Sequence, residues 1–258
     1  MNKFNFKDFY VSYEDRDDPV INSLKRGVLF GYPNAVEVMK FTTRENKSTI
    51  IDCGAHIGTF AIPLSRIGKK VICIDGSETN IECIKDTIQQ QIFNNITAAC
   101  HILDKKNRAC SFEDSGPFGS IVHNSENNKT STTIDALFYH EDDLSFIKYD
   151  LEGSEIDAIL GSEKTIKKYR PGLLVEVNQH CQEMHNKSVY ELFELIEDFG
   201  YYIIWPRKGQ YIKLNKKHHK MFPSQSVTDV VCIPHEKILN YMCKCGKCFN
   251  ISMLQEAP

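Results

Sequence analysis

Two glycines four residues apart, Gly54 and Gly58, follow an apolar run that ends in Asp52. A glycine turn between a strand and a helix lets the backbone approach a ligand closely, and the N-terminus of the helix then points at that ligand. A second acid, Asp75, ends the next apolar run, where the hydroxyls of a nucleoside ribose would lie. This spacing predicts a nucleoside cofactor site. The residues expected to bind the cofactor are Asp52, Gly54, Ala55, His56, Gly58, Asp75, Gly76, His101 and Asp150.

Two classes of cofactor compete for such a turn. The dinucleotide fingerprint G-x-G-x-x-G holds a pyrophosphate, but this turn has only G-x-x-x-G, with Asp52 just before it. That carboxylate would repel a pyrophosphate. It would attract S-adenosylmethionine, which carries an α-amino group and a sulfonium. The pattern therefore favours S-adenosylmethionine over NAD, and the alternative is that the glycines only turn the chain.

Three more acids are predicted to lie at the same edge of the protein. Asp150 and Glu152 follow the apolar run FIKYDL, and Glu176 interrupts the apolar run LLVEV. Ligands of open α/β sheets bind beyond the carboxyl ends of the strands, so these acids are expected beside the cofactor turn. His180 follows Glu176 closely and is a rival candidate for a general base. His101 and Asp104 are candidates for flanking an adenine.

These acids have three possible roles. Methyl transfer from a sulfonium requires an aligned acceptor and removal of its proton, so one carboxylate can act as a general base, and Asp150 is the first candidate. Alternatively, Asp150, Glu152 and Glu176 hold a divalent cation such as Mg²⁺, which takes oxygen ligands and acidifies a hydroxyl. In the third alternative the acids are structural: Glu152 or Glu155 caps the helix that begins near Ser154, or Lys148 or Arg170 neutralises Glu176.

The elements that position these residues are predicted from hydrophobic patterning. From Ser48 onward, apolar runs alternate with helical patterns, which predicts a parallel sheet covered by helices on both faces. The predicted strands are TIIDC, KVICIDG, ITAACHIL, FIKYDL, GLLVEVN, YYIIWP and DVVCIP, with VEVMKF as an extra strand before them.

Three helices are predicted between these strands. Helical spacing of apolar residues predicts the first, over Ile81, Ile84, Ile88 and Ile92. A second helix is predicted from Glu155 to Tyr169, because acids stand in the first turn of this segment and lysines in its last. The third begins after Ser188, a predicted N-cap, and ends at Gly200.

Composition excludes several classes of protein. The chain has 258 residues, which suits one α/β domain with attachments. Its formal net charge is -3, from 31 basic and 34 acidic residues, so no overall field favours a nucleic-acid partner. The first residues lack an apolar signal core, and no window approaches the roughly 18 apolar residues of a membrane span. We expect a cytoplasmic protein without a membrane partner, and its ten cysteines are expected to be reduced.

Three stretches resemble the FkbM-type S-adenosylmethionine-dependent methyltransferases. They are IIDCGAHIGTFAIPLSRIGKKVICIDGSETNIECIKDTI, TTIDAL and FIKYDLEGSEIDAILGSEKTIKKYRPGLLVEVN. The resemblance covers roughly Asp18 to Pro234, and KYDLEGSE followed by RPGLLVEV is its most specific part. It implies a class I methyltransferase fold, a seven-stranded, mostly parallel sheet with one antiparallel strand. Asp75 stands where many relatives have Glu, and Asp135 matches a recurrent position of the family.

The resemblance also implies an activity, methyl transfer to a hydroxyl oxygen, often on a sugar or a natural product. The expected acceptor is therefore a small-molecule or saccharide hydroxyl. One alternative is an NAD-dependent oxidoreductase, which the missing third glycine and Asp52 disfavour. A catalytically inactive cofactor-binding module is the other, and acids at the strand ends speak against it, because a degenerate site has no need of buried charge.

Three regions are predicted along the chain. Residues 1–47 are expected to form an N-terminal preface or lid, 48–235 the methyltransferase domain and 236–258 a tail that contains cysteines. Residues 112–131 are predicted to be a polar connection. The basic stretch KLNKKHHK, residues 213–220, is predicted to be a solvated loop, and the alternative is a site that attracts a phosphate or an acidic saccharide.

The tail contains the motif CKCGKC, which resembles part of a zinc site. A structural zinc site has four ligands, and Cys243, Cys245 and Cys248 supply three. Cys232, His235 or a residue of a second chain is the candidate for the fourth. The alternative is an unstructured end, and the family resemblance does not reach this segment.

Overall fold

The computed structural model of the protein describes residues 1–258 except 7, 42–47, 68, 92, 115–118, 123–127, 142, 208–209, 239–254 and 257–258. The strands are β1 Asn2–Asn5, β2 Tyr10–Tyr13, β3 Thr49–Cys53, β4 Lys70–Asp75, β5 Ile96–Cys100, β6 Ile102–Leu103, β7 Ala109–Glu113, β8 Ser120–Val122, β9 Lys129–Thr132, β10 Leu144–Tyr149, β11 Gly172–Asn178, β12 Tyr201–Arg207, β13 Gln210–Leu214, β14 Val227–Pro234 and β15 Gln255–Glu256. The α-helices are α1 Pro19–Lys25, α2 Tyr32–Phe41, α3 Ala61–Arg66, α4 Glu78–Gln91, α5 Ile134–Phe138, α6 Glu155–Leu160, α7 Glu163–Tyr169, α8 Gln179–Met184 and α9 Val189–Asp198.

A nine-stranded sheet in the order β15-β13-β12-β14-β11-β10-β3-β4-β5 organises these elements. Strands β5, β4, β3, β10 and β11 are parallel to one another. Parallel pairing requires long crossover connections, and the segments between these strands, which contain helices, provide them. Strand β14 is antiparallel to β11 and to β12. Numbered along the chain, these five parallel strands have the order 3-2-1-4-5 of doubly wound folds. All seven predicted runs therefore contain a strand of this sheet, which confirms the class I methyltransferase fold.

Two strands extend the sheet beyond the predicted seven. Strand β13 pairs antiparallel with β12, and β15 pairs with β13 at the edge. The stretch 213–220, predicted to be a loop, instead holds the end of β13 and a 3₁₀ helix, Lys216–Met221. Asn215 caps this helix by accepting a hydrogen bond from the backbone N–H of Lys217, and Lys216 pairs with Glu194.

The predicted extra strand VEVMKF is wrong, because these residues form the end of α2. Ala35 and Val38, three residues apart, are both fully buried, which is the spacing of one face of a helix. Over so short a run, the pattern of apolar and polar residues fits both the periodicity of a strand and that of a helix. The sequence alone does not distinguish them.

The helix predicted from Glu155 to Tyr169 is two helices, α6 and α7, which meet at Gly161. A Cβ atom on Gly161 would lie 2.2 Å from the carbonyl oxygen of Asp104, so the chain passes this backbone at a distance that only glycine permits. Asp135 lies in the first turn of α5 and accepts hydrogen bonds from the N–H groups of Lys164 and Thr165 at the start of α7. Its position therefore has a structural explanation.

The other two predicted helices are confirmed. Helix α4 buries Ile81 and Ile84, whereas Ile92 lies outside the described residues. Ser188 caps α9 by accepting a hydrogen bond from the N–H of Glu191. Among the described residues of the predicted connection 112–131, β8 and the first three residues of β9 form strands, which join β6 and β7 in a four-stranded sheet.

The described N-terminal residues pack on the same core as the sheet. Val11, Ile21 and Leu24 are fully buried in one cluster with Ile50 and other sheet residues. A boundary at residue 47 stays a prediction. In the part of the chain that the structure describes, no helix has the length and apolar character needed to cross a membrane, and the seven described cysteines are free.

Candidate active site

A cavity of about 240 Å³ opens beyond the carboxyl ends of β3, β4, β10 and β11. The glycine loop after β3 forms one side of it, and the turn after β10 forms the floor. Helix α1 and the segment before α2 close the third side with Pro19, Val20 and Phe30. This is the position at which doubly wound sheets bind their ligands, and most of the predicted site residues lie there.

The glycine loop has the backbone that its sequence predicts. Gly54 and Gly58 have φ angles of +77° and +84°, in the left-handed region that favours glycine. The N–H of Gly54 donates to the carbonyl oxygen of Ile74 over 2.9 Å. A Cβ atom on Gly54 would lie 1.7 Å from the carbonyl oxygen of Asp150, so the loop rests directly on the turn after β10.

Asp75 fixes the glycine loop and also lines the cavity. Its carboxylate accepts hydrogen bonds from the N–H of His56 over 2.8 Å and from the N–H of Ser77 over 2.9 Å. The side chain of Asn80 donates a third, of 3.3 Å. Burial raises the pKa of Asp75, although these hydrogen bonds to the charged form oppose the shift. One carboxylate thus sets the shape of the loop and of the start of α4.

His56 connects the glycine loop to the N-terminal segment. Its Nε2 lies 2.8 Å from the carboxylate of Asp18, and Arg16 contacts the same carboxylate over 3.2 Å. Burial opposes ionisation of Asp18, but the hydrogen bond and charge of His56 prevail and lower the pKa of Asp18 to about 2. Arg16 also donates to Asn80 over 2.7 Å. Arg16 and Asp18 were not predicted to have a role here.

The structure does not bring Asp52 to the cavity wall. Asp52 is fully buried in β3, and its carboxylate lies 3.2 Å from Nζ of Lys148. Lys148 is also 3.0 Å from the carboxylate of Asp150, and it donates to the carbonyl oxygen of Gly54 over 3.0 Å. Burial disfavours the charged lysine, but the two carboxylates raise the pKa of Lys148 above its ordinary value. Asp52 therefore serves an ion pair beneath the glycine loop.

Lys148 does not neutralise Glu176, which was one of the alternatives. Arg170 does not neutralise it either, because its guanidinium pairs with Glu236 over 2.8 Å. Strand pairing places Glu176 opposite Asp229 of β14, a further acid. Burial first, and then the charge of Asp150, raises the pKa of Asp229 to about 6.

Asp150, Glu152 and Glu176 form an acidic cluster on the cavity floor. One carboxylate oxygen of each lies within 4.8 Å of the others. Burial first, and then the charge of Asp150, raises the pKa of Glu152 to about 7 and raises the pKa of Glu176 well above its ordinary value. Three negative charges at this spacing repel one another, so the cluster favours a bound proton or a bound cation.

Three further predicted residues, His101, Asp104 and His180, do not line the cavity. His180 is exposed on α8, and His101 is half-buried after β5, and neither lines the cavity. Asp104 makes an ion pair with Arg108 and accepts from Ser131. The three tail cysteines, Cys243, Cys245 and Cys248, lie outside the described residues, so the predicted zinc site has no structural support. Cys232 is fully buried in the sheet.

Several residues of the cavity were not predicted. Phe30 and Val227 are exposed at its mouth, and Phe112 covers Gly76, where a Cβ atom would lie 2.4 Å from the ring. These three come from distant segments and carry no sequence motif. Lys148 is different, because a lysine inside the apolar run FIKYDL is itself a signal of a buried partner.

The central sheet and the glycine loop after β3 are those of the class I methyltransferase fold. The methyltransferase FkbM domain matches residues 52–203, which is more than half of the chain. The protein thus belongs to the FkbM methyltransferase family. Family membership decides between the two cofactor classes in favour of S-adenosylmethionine.

Two methyltransferases are among the solved structures to which the chain is similar. The methyltransferase FkbM from Methylobacillus flagellatus KT is 19% identical, with a TM-score of 0.46 over 72% of this chain and 43% of that chain. Magnesium protoporphyrin IX methyltransferase from Synechocystis PCC 6803, solved with bound SAH, is 10% identical, with a TM-score of 0.47 over 86% of this chain and 89% of that chain. The present chain spans less than half the length of the first protein. No curated protein matches it.

Proposed function

We propose that the protein transfers a methyl group from S-adenosylmethionine to a hydroxyl of a carbohydrate or natural-product acceptor. One observation carries the proposal: the acidic cluster and the glycine loop share one cavity and touch through Gly54 and Asp150. Acids within reach of a methyl donor suit an acceptor that must lose a proton.

The cofactor half of the cavity is formed by Gly54, Ala55, His56, Gly76 and the carboxylate of Asp75. Backbone N–H groups and a carboxylate at the ends of β3 and β4 suit the hydroxyls and the amino acid part of S-adenosylmethionine. The cofactor supplies a methyl carbon on a sulfonium, which is already activated for displacement.

The acceptor half consists of the acidic cluster and the apolar residues at the mouth. Phe30 and Val227 are 55% and 62% exposed, so they offer an apolar surface to the acceptor beside the carboxylates. The residues of the cofactor half would hold S-adenosylmethionine beside the acidic cluster, where it would supply a methyl carbon to the acceptor oxygen, with the carbon–sulfur bonding pair left on sulfur. The hydroxyl proton passes to a carboxylate of the cluster or to water in the open cavity.

Calorimetry with S-adenosylmethionine, S-adenosylhomocysteine and NAD in parallel tests the cofactor. Binding of the first two alone is expected, whereas binding of NAD alone would overturn the proposal. Transfer of labelled methyl to a panel of hydroxylated sugars and natural products then tests the reaction. Cofactor binding with no transfer to any member would favour the inactive module.

The variant Asp150→Asn tests the chemistry. Loss of one group that moves or polarises a proton costs about 10²–10⁴ in rate, so we expect turnover to fall at least a hundredfold. The affinity for S-adenosylmethionine should change less than threefold, because the amide keeps an oxygen that Lys148 can contact. An unchanged rate on the same acceptor would remove Asp150 from the reaction. Glu163→Gln, an exposed carboxylate on α7, is the matched control.

A further inference from the structure

We infer that Asp150, Glu152 and Glu176 bind one divalent cation, of the class of Mg²⁺, Mn²⁺ or Ca²⁺, on the floor of the cavity. The binding site is argued from geometry. The role assigned to the cation, contact with the acceptor hydroxyl, rests on the proposed function.

The spacing of the three carboxylates fits such an ion. One carboxylate oxygen of each residue lies within 4.8 Å of the other two, and no two ligand atoms of a cation with metal–oxygen distances of about 2.1–2.5 Å are more than about 4–5 Å apart. All three ligands are hard oxygen donors, which these ions prefer to nitrogen or sulfur. Lys148 contacts only one oxygen of Asp150, Oδ2, and a carboxylate has two.

The backbone supports the placement of Glu152. Its φ angle is +50°, a left-handed conformation that is uncommon for residues other than glycine. The carboxylate of Glu155 holds this turn, since it accepts from the N–H groups of Leu151 and Gly153. In this turn one carboxylate oxygen of Glu152 lies within 4.8 Å of oxygens of Asp150 and Glu176, and its Oε2 accepts a hydrogen bond of 3.4 Å from the thiol of Cys181.

Glu176 provides the independent observation that points to a ligand. Its side chain lines the cavity, it is 8% exposed, and Oε2 has no hydrogen-bond partner among the described residues. A buried carboxylate without a partner is costly unless a positive charge or a proton accompanies it. Lys148, the nearby buried cation, already pairs with Asp52 and Asp150.

A cation at this position would meet the acceptor at the right place. Three protein ligands leave coordination positions that face the cavity, where water or an acceptor hydroxyl can bind. A divalent cation lowers the pKa of a bound hydroxyl and orients it, so it would prepare the acceptor oxygen beside the methyl donor. A proton shared by the carboxylates and an ammonium group of the acceptor are the competing occupants.

The test is titration of the full chain, stripped with a chelator, with Mn²⁺ alone, followed by calorimetry and by the electron paramagnetic resonance of free Mn²⁺. We expect one saturable site with a dissociation constant below about 1 mM, a weak but specific affinity for such ions. Glu176→Gln and Glu152→Gln should each weaken it at least tenfold. Glu163→Gln should leave it unchanged.

Each outcome decides the inference. No saturable Mn²⁺ site, or equal affinity in Glu176→Gln and Glu152→Gln, would overturn it in favour of a shared proton or an acceptor ammonium. Far-ultraviolet circular dichroism and an unchanged affinity for S-adenosylmethionine in chelator show that the variants are folded. Mn²⁺ binding without methyl transfer would refute the proposed function and leave the site, and transfer without Mn²⁺ binding would do the reverse.

Discussion

Replacement of Lys148 by methionine should destabilise the protein strongly, because it leaves a carboxylate buried without its cation. Lys148 is 4% exposed, and Asp52, at 3.2 Å, is fully buried. Removal of one partner from a buried ion pair costs about 3–5 kcal/mol, out of a total stability of about 5–15 kcal/mol. For a chain of this size the melting temperature should fall by about 6–20 °C. Methionine has a similar length and apolar stem, so lost packing contributes little.

The assay is urea unfolding at pH 7.5, followed by circular dichroism, on four proteins. They are the wild type, Lys148→Met, the double variant with Asp52→Asn, and Lys85→Met as an exposed control. The double variant should recover much of the loss, because the uncompensated charge is gone. Burial raises the pKa of Asp52, so without Lys148 this carboxyl should take up a proton as pH falls and the deficit should shrink at pH 5. A loss below about 1 kcal/mol, or a double variant no more stable than the single one, would refute the reasoning.

Two further substitutions test other parts of the site. Gly54→Ala places a Cβ atom 1.7 Å from the carbonyl oxygen of Asp150, so calorimetry should show at least a tenfold weaker affinity for S-adenosylmethionine. The control is Gly27→Ala, at a φ of +80°, where the added Cβ atom meets only Phe4, at 3.9 Å. Equal affinities of the two variants for S-adenosylmethionine would contradict the steric account. Burial raises the pKa of Glu155 from 4.5 to about 7, so its contribution to stability is present below pH 4.5 and is lost as pH rises through 7. Glu155→Gln should remove up to about 3 kcal/mol of this pH dependence in urea unfolding at pH 5 and pH 8, and an unchanged dependence would exclude Glu155 as its source.

The sequence predicts the centre of the sheet well because β3, β10 and β11 are almost wholly buried and are nearly continuous apolar runs. Thr49–Cys53 and Gly172–Asn178 match their predicted runs residue for residue. The prediction fails where two periodicities fit, as in VEVMKF, and where a tertiary contact interrupts a helix, as at Gly161. In the first case the run is too short to separate the two patterns. In the second, the cause is a backbone 57 residues away in sequence, which no local pattern contains.

The site was predictable where a residue type follows directly from backbone geometry or from position at a strand end. Gly54, Asp75 and the acidic cluster are of this kind. The role of Asp52 was not predictable in detail, because its partner Lys148 lies on another strand and becomes a neighbour only through the register of β3 and β10. Asp229 faces Glu176 for the same reason, through the register of β11 and β14. Phe30 and Val227 reach the cavity only after the whole chain has folded.

The contact between Gly54 and the carbonyl oxygen of Asp150 has a consequence for recombination between relatives. It joins two segments that lie far apart in the sequence but pack directly against each other in the folded protein. A chimera that takes the glycine loop from one parent and the turn after β10 from another must reproduce a separation that tolerates no added methyl group. Viable crossovers should therefore keep both segments from a single parent, even when the protein between them is exchanged.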